Sequence, residues 1–191
     1  MDRYKEYWRC GDTRPGRVRD TFGDHLPRIE QGEILDMGCS LGYTTEDLAD
    51  IYPTCTITGI DIDKRVLRQA DESPSKKSNI RYCFADGYKS PFPPETFDAI
   101  VGMNNLSFAY ERSDWKYFKK HVEKITRMVK PQGYLCISGD GGVILKKENE
   151  QFKIIYAKEV PLYRAQGAAR TLAEKICGTE SAIPLLISYP L

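Results

Sequence analysis

The sequence predicts an α/β fold, a doubly wound and mostly parallel sheet with helices on both faces, and three observations indicate it. Short apolar runs rich in β-branched and aromatic residues recur along the chain. Stretches with helical periodicity lie between them. A glycine-containing turn at 38–42 joins the first run to a helix. Strands that alternate with helices favour a parallel sheet covered on both faces.

Length and composition favour one globular domain. The chain has 191 residues, 41% of them hydrophobic, which is enough for a full core. We divide it into an N-terminal helical cap (1–30), a central core (31–140) and a C-terminal segment (141–191). The formal net charge of +1 offers no broad basic surface, so no nucleic-acid partner is expected. No apolar run reaches the roughly 20 residues of a membrane span.

The cysteine pattern bears on the cellular compartment. Six cysteines are scattered without a C-x-x-C pair or a cysteine–histidine cluster at zinc spacing, and no secretory signal is evident. We therefore expect reduced thiols, a cytoplasmic location and no bound metal. Nothing in the sequence indicates an oligomeric state.

The first 30 residues are predicted to form two short helices separated by residues 11–16. Apolar side chains recur in both halves: Tyr4, Tyr7 and Trp8, then Val18, Phe22 and Leu26 at helical spacing. The aromatic set is consistent either with a lid over a cleft or with ordinary packing.

Five buried strands are predicted from residue 33 onward, because continuous apolar runs suit burial on both faces. They lie at 33–37, 56–60, 80–84, 97–101 and 134–138. Helices are predicted at 44–51, 64–71 and 115–129, and loops at 72–78 and 89–96.

The last 50 residues are less regular. Residues 145–160 suit a hairpin that turns at 148–150 or a helix, and the lack of a turn glycine favours the helix. A further helix is predicted at 164–177 and a final strand at 183–189.

The turn after the first strand is predicted to bind a ligand, because open parallel sheets bind ligands beyond the carboxyl ends of their strands. Gly38 and Gly42 let the backbone bend sharply and approach a ligand closely. The helix that begins at Tyr43 offers free N–H groups. Glycines that serve only the turn are the alternative.

Acidic residues follow three successive predicted strands. Asp36 ends the first, and Asp61 ends the second, where a carboxylate accepts hydrogen bonds from ribose hydroxyls and disfavours a 2′-phosphate. Asp86 follows the third, where it can accept from an exocyclic amine while its neighbours flank a flat ring. Together they predict a nucleoside site.

These motifs together resemble the class I S-adenosylmethionine-dependent methyltransferases that act on small molecules. They are D-M-G-C-S-L-G at 36–42, G-I-D at 59–61, A-D-G at 85–87, and the stretches 91–108 and 128–138. The resemblance covers residues 30–140 and makes this core the cofactor-binding part of the chain. It implies methyl transfer by in-line displacement to a small-molecule acceptor.

The resemblance implies S-adenosylmethionine as cofactor and S-adenosylhomocysteine as product. It implies that the loop at 38–42 wraps the methionine part, that Asp61 holds the ribose and that Asp86 binds the adenine amine, while Asp36 helps hold the loop. The residues assigned to the cofactor are Asp36, Gly38, Cys39, Ser40, Gly42, Asp61, Ile62, Asp86, Gly87 and Asn104. No catalytic residue is assigned.

Two departures from the family pattern stand out. The family commonly has glycine where Ser40 stands, so the serine either crowds the bend or supplies a hydroxyl ligand. The family usually ends in an antiparallel strand pair, and after residue 160 only 183–189 is strand-like, so abbreviated C-terminal strands are expected.

Two other functions are open. A nicotinamide-dependent oxidoreductase shares the fold, but its G-x-G-x-x-G fingerprint is absent, since the sequence from Gly38 is G-C-S-L-G. A non-catalytic cofactor-binding module or partner subunit is the second alternative.

The acceptor is not specified by the sequence. Residues 103–106 read M-N-N-L rather than N-P-P-Y, which argues against nucleobase or glutamine nitrogen acceptors. Asn104 and Asn105 could orient an acceptor or simply cap a turn. His121 is expected to be solvated on a charged helix, and His25 reaches the site only if the N-terminal helices fold over it.

Overall fold

The computed structural model describes residues 15–89, 91–106, 115–139, 141–158 and 166–178. Its strands are β1 (Glu33–Met37), β2 (Thr56–Asp61), β3 (Ile80–Phe84), β4 (Phe97–Met103), β5 (Val129–Ser138), β6 (Gly142–Glu148) and β7 (Gln151–Ala157). Its α-helices are α1 (Arg17–Phe22), α2 (Tyr43–Ile51), α3 (Lys64–Asp71), α4 (Trp115–Arg127) and α5 (Gln166–Cys177). Short 3₁₀ turns lie at Gly23–His25 and Gly87–Lys89.

The seven strands form one sheet in the order β3-β2-β1-β4-β5-β6-β7. β1 to β5 pair in parallel, and β6 and β7 pair antiparallel to their neighbours. Met37 pairs with Ile60, and Asp61 pairs with Phe84. The segments that follow β1, β2, β3 and β4 therefore meet at one side of the sheet, which we call the carboxyl edge. The predicted doubly wound fold is confirmed.

Each face of the sheet has its own buried core. On one face α4 and α5 pack through Ile125 and Leu172 against strand residues such as Leu35 and Ile137. On the other face the core contains Val18, Phe22, Leu48 and Ile34 among others. The N–H of Gly16 donates to Asp47 Oδ1 at 2.7 Å, so α2 anchors the chain where it enters α1.

The predicted strands and helices of the core are confirmed, with shifts of up to five residues at their ends, the largest at the start of β5. α3 has the predicted bounds, and its start is capped by Asp63, which accepts from the N–H of Arg65. The helix predicted over 115–129 ends at Arg127, because Val129 pairs with Phe97 and opens β5. The second predicted N-terminal helix is α1, whereas the first, with Tyr4, Tyr7 and Trp8, lies outside the described residues.

The helix predicted over 145–160 is wrong. β6 and β7 form a hairpin whose turn is Asn149 and Glu150, both with positive φ, 48° and 64°. Two consecutive left-handed residues make the tight turn that suits hairpin twist, here without glycine. The lysines and glutamates support the hairpin instead, since Lys153 Nζ lies 2.8 Å from Glu148 Oε2.

The antiparallel strands with which the family usually ends are therefore present before residue 160, as the β5–β6 and β6–β7 pairings. The strand predicted at 183–189 lies outside the described residues. Within the described ranges, no helix has the length and apolar character needed to cross a bilayer.

Candidate functional site

The loop at 38–42 is fastened to the end of β2. The N–H groups of Gly38 and Cys39 both donate to the carbonyl of Ile60, at 2.8 and 2.9 Å. The N–H of Gly42 donates to the carbonyl of Cys39 at 2.9 Å. Gly38, Ser40 and Gly42 all have positive φ, at 75°, 53° and 87°. The loop is thus a tight, hydrogen-bonded bend over the carboxyl edge.

Both glycines of the loop are required by close packing as well as by the bend. A Cβ on Gly38 would lie 2.5 Å from Asn105 Nδ2, and one on Gly42 would lie 3.0 Å from Tyr82 Cζ. Tyr82 reaches this position from β3 because Gly59, on the strand between, has no side chain to block its ring. The loop therefore rests directly on the neighbouring strands.

Asp36 ties β1 to α2. Its side chain is 1% exposed, and Oδ2 accepts from Thr45 Oγ1 at 2.7 Å. Burial, and to a lesser degree the charges of Asp61 and Asp47, raise the pKa of Asp36 to about 7. This carboxyl group holds the helix that follows the loop, which agrees with the supporting role implied by the resemblance.

Asp61 faces the loop from the end of β2. Its Oδ2 accepts from the N–H of Ser40 at 3.0 Å, and its Oδ1 accepts from the N–H of Asp63 at 2.9 Å. A carboxylate has about four acceptor positions, so each oxygen retains one for a ligand. Two backbone donors thus fix the orientation of Asp61 at the carboxyl edge.

The loop contains a buried polar atom that can serve a ligand. Ser40 Oγ is buried and makes no hydrogen bond in the described part of the chain, and the same holds for Tyr82 Oη and Asn105 Oδ1. Leaving such a group unpaired costs about 1–3 kcal/mol. A polar ligand beside the loop would remove that cost at Ser40, so the donor set fits a bound cofactor with polar groups.

Asp86 follows β3 and is about one-third exposed. Its Oδ1 accepts from the N–H of Tyr88 at 3.0 Å, and Lys89 Nζ lies 3.6 Å from its Oδ2. Gly87 is buried against Met37, where a Cβ would lie 2.8 Å from the sulfur. This packing seats the Asp86 turn beside the end of β1.

Exposed apolar side chains stand beside these carboxylates. Ile62 is 52% exposed directly after Asp61, and Phe84 is 58% exposed directly before the Ala85–Asp86 pair. Lys64 Nζ lies 4.5 Å from the centroid of the Phe84 ring. Phe84 was not among the site residues predicted from the sequence. The signal that could have indicated it is an aromatic residue at the end of a strand, just before the A-D-G motif.

Asn104 and Asn105 follow β4 directly and lie at the same edge of the sheet. Asn104 has a φ of 64°, and its N–H donates to Ser138 Oγ at 3.0 Å. Asn105 Nδ2 donates to the carbonyl of Met37, just before the loop. Asn105, which the sequence left open between two roles, thus supports the loop from the neighbouring strand.

The two histidines lie in different environments, and that of His121 differs from the prediction. His121 is half-buried against Tyr88 and Phe118, so the expectation of a solvated side chain is wrong. It lies three residues after Phe118 and four before Ile125, on the apolar side of α4. His25 stacks on Tyr156 of β7 with ring centroids 4.1 Å apart.

No metal centre is found among the described residues, where no group of three or more histidine, cysteine, aspartate or glutamate side chains is placed to hold an ion. Cys39, Cys55, Cys83, Cys136 and Cys177 have free thiols. Cys10 lies outside the described residues. The described polar groups at the carboxyl edge include the loop, the three carboxylates and the two asparagines.

Comparison with known proteins agrees with this geometry. Residues 34–133 match the family described as "Methyltransferase domain". The O-methyltransferase cnsE of Penicillium expansum is 28% identical over 143 residues, which cover 69% of this chain and 49% of that protein. The malonyl-[acyl-carrier protein] O-methyltransferase of Legionella pneumophila is 33% identical over 93 residues, which cover 46% of this chain and 33% of that protein.

A solved structure shows the same fold. Phosphoethanolamine N-methyltransferase 2 of Haemonchus contortus, in complex with S-adenosyl-L-methionine, superposes with a TM-score of 0.56 at 20% identity, over 70% of this chain and 31% of that one. The chain spans half or less of the length of these relatives. Because the family match covers more than half of the chain and includes the loop and all three carboxylates, the chain belongs to the class I S-adenosylmethionine-dependent methyltransferases.

Proposed function

We propose that this chain transfers the methyl group of S-adenosylmethionine to a small-molecule acceptor by in-line displacement. The observation that carries the proposal is the fixed orientation of Asp61, whose two oxygens accept from the N–H groups of Ser40 and Asp63. The carboxylate that is predicted to bind the ribose therefore also contacts the loop at 38–42. Membership of the family supports S-adenosylmethionine as the methyl donor, and we place its binding site at the carboxyl edge.

The assigned residues divide the cofactor among the strand ends. The loop, with Gly38, Cys39, Ser40 and Gly42, would hold the methionine part, and Asp36 would hold the loop through Thr45. The other assignments are Asp61 to the ribose, Ile62 and Gly87 to the adenine ring, Asp86 to its amine, and Asn104 to the methyl side of the cleft. Each lies at the end of β1, β2, β3 or β4, where parallel pairing brings it to one edge.

When bound, S-adenosylmethionine supplies a methyl group already activated by the positive charge on its sulfur. The protein's task is then alignment, since holding two reactants at near-contact distance is worth up to about 7–11 kcal/mol. The loop and Asp61 provide that alignment on the donor side through fixed backbone hydrogen bonds. A general base is needed only if the acceptor must lose a proton, so an ionised acceptor requires none.

A small molecule is the acceptor class that fits best. The net charge of +1 provides no general attraction for a nucleic-acid backbone. One of the relatives is, by its name, a malonyl-[acyl-carrier protein] O-methyltransferase, so its acceptor is a malonyl group carried on a protein. Its match spans 93 residues, so the relationship supports the donor more strongly than the acceptor.

Ligand-induced thermal stabilisation tests the donor, and product release tests the transfer. A ligand that binds only the folded state adds about 2.7 kcal/mol of stability at 100 times its dissociation constant. We expect a shift with S-adenosylmethionine and S-adenosylhomocysteine and none with NAD. A shift with NAD alone would contradict the proposal and favour the oxidoreductase.

A non-catalytic cofactor-binding module remains the second candidate. It predicts the same thermal shift with no release of S-adenosylhomocysteine across a panel of carboxylate, hydroxyl, amine and thiol acceptors. Release above the acceptor-free background with any member of the panel would exclude it.

A further inference from the structure

One residue outside the assigned cofactor set bridges the two sides of the site. Tyr88 lies in the turn Gly87–Lys89, and its N–H donates to Asp86 Oδ1 at 3.0 Å. Its hydroxyl donates to the backbone carbonyl of Asn105 at 3.2 Å. A single side chain and its own backbone thus contact both the predicted adenine carboxylate and the residue that supports the loop.

His121 holds this tyrosine from α4. Its Nδ1 lies 3.2 Å from the backbone carbonyl of Tyr88. A carbonyl oxygen can only accept, so Nδ1 carries the hydrogen and donates. The imidazole also meets the Tyr88 ring edge to face, with centroids 5.5 Å apart, and Phe118 meets the same ring at 6.1 Å. Hydrogen bond and ring contact together restrain the Tyr88 backbone.

A restrained Tyr88 backbone matters because Asp86 has a competing partner. Lys89 Nζ lies 3.6 Å from Asp86 Oδ2 and extends into solvent. If the Tyr88 N–H no longer fixed Oδ1, the carboxylate would be free to rotate toward that cation. Its acceptor positions would then no longer point in one direction.

We propose that His121 is a positioning residue for Asp86, acting through the Tyr88 carbonyl. By holding that carbonyl, His121 restrains the Tyr88 backbone, so that the N–H of the same residue stays on Asp86 Oδ1 and the carboxylate stays oriented to accept from an exocyclic amine. The inference rests on the proposed function, because it takes Asp86 as the acceptor for the adenine amine. We expect His121 to affect how strongly the site discriminates between nucleobases.

The test compares two ligands that differ at N1 of the purine and at the adjoining C6, the group that Asp86 would read. S-adenosylhomocysteine presents an amine there, and S-inosylhomocysteine presents a carbonyl, which cannot donate to a carboxylate. The measured quantity is the ratio of their dissociation constants by calorimetry. We expect the natural protein to prefer the adenosine compound by about tenfold or more, because a hydrogen bond to a charged group is worth about 1.5–3 kcal/mol.

Two substitutions at one position separate hydrogen bonding from packing. H121F keeps an aromatic ring beside Tyr88 and removes the donor, and we expect it to lose most of the preference. H121N has its amide nitrogen as many bonds from the backbone as Nδ1, and we expect it to retain most of the preference with a smaller side chain. H25A removes the chain's other imidazole, which stacks on Tyr156, and should leave the ratio unchanged.

The opposite pattern, with H121F normal and H121N impaired, would overturn the inference, since it would assign His121 to packing alone. Equal weakening of both ligands by H121F would overturn it as well, because the ratio would be unchanged. Failure of the natural protein to bind either compound would instead overturn the proposed function. Binding by the natural protein, with a ratio that H121F leaves intact, overturns only the role of His121.

Discussion

The ends of β1 and β2 place the same type of residue in two different environments. Asp36 and Asp61 lie on adjacent parallel strands, and both are almost inaccessible, at 1% and 9% exposure. Asp61 is held by two backbone N–H groups from neighbouring segments. Asp36 accepts from the Thr45 hydroxyl in a fully buried position, and its pKa is raised to about 7.

This difference indicates that two carboxyl groups at the same edge of the sheet are suited to different roles, one to structural support and one to ligand binding. The Asp61 carboxylate is oriented by two backbone donors, and its free acceptor positions suit hydroxyl groups of a ligand. A carboxyl group buried against one hydroxyl is stabilised in its neutral form near neutral pH. Asp61 is therefore the residue suited to ligand binding, and Asp36 is the residue that braces the loop.

The largest expected effect is a pH dependence of stability due to Asp36. The pKa of an aspartate is ordinarily 3.8, and that of Asp36 in the folded chain is about 7. Asp36 therefore binds a proton more tightly in the folded chain than in the unfolded chain. The stabilisation from proton binding at Asp36 is complete below about pH 4 and is lost as the pH rises through 7, a change of about 4 kcal/mol. Asp36→Asn removes the titrating group.

Urea unfolding of the natural protein and Asp36→Asn at pH 4, 6 and 8 isolates this contribution. We expect the variant to gain stability relative to the natural protein with increasing pH. Thr45→Val is the matched control for the hydrogen bond, because it deletes the donor and retains the carboxyl group. A stability difference between the natural protein and Asp36→Asn that stays constant with pH would contradict the environment described for Asp36.

Asp61→Ala is expected to have the next largest effect, on cofactor affinity. Loss of a hydrogen bond to a charged group costs about 1.5–3 kcal/mol, which weakens binding of S-adenosylhomocysteine about 10-fold to 150-fold. The far-UV circular dichroism spectrum should be unchanged. Calorimetry on Asp61→Ala and Asp61→Asn compares loss of all acceptors with loss of charge, and unchanged affinity in Asp61→Ala would make Asp61 purely structural.

Ser40→Gly is expected to act in opposite directions on stability and affinity. Glycine relieves the positive φ of 53° and removes a buried hydroxyl without a partner, so the ligand-free protein should gain about 1 kcal/mol. Cofactor binding should weaken, because the substitution removes the hydroxyl that the proposed site gives to the ligand. Thermal unfolding with and without S-adenosylhomocysteine measures both, and tighter binding would identify the serine as a steric hindrance.

The smallest expected effect is that of Lys89→Ala. The lysine lies 3.6 Å from Asp86 and is exposed, and exposed ion pairs contribute about 0–1 kcal/mol. We expect the affinity for S-adenosylhomocysteine to change by about fivefold or less. A change larger than tenfold, measured by the same calorimetry, would show that Lys89 itself contacts the ligand.

Local pattern alone determined much of this molecule. Apolar runs and helical periodicity predicted β1 to β5 and α1 to α5, because the burial demands of strands and helices leave a short-range signal. The residues ending three strands predicted where the carboxylates would gather, since parallel pairing brings those ends together. Glycine at 38 and 42 indicated the bend because few other residues tolerate that backbone.

Tertiary structure decided what those patterns do not encode. The β6–β7 hairpin turns through Asn149 and Glu150 without glycine, so its composition resembled a helix until strand pairing selected the extended form. The side-chain contacts behind the site join Asn105 to Met37, Tyr88 to Asn105 and His121 to Tyr88, across 68, 17 and 33 residues of sequence. Such contacts depend on how separate elements pack, which is why the sequence could predict a candidate site and only the fold revealed the contacts behind it.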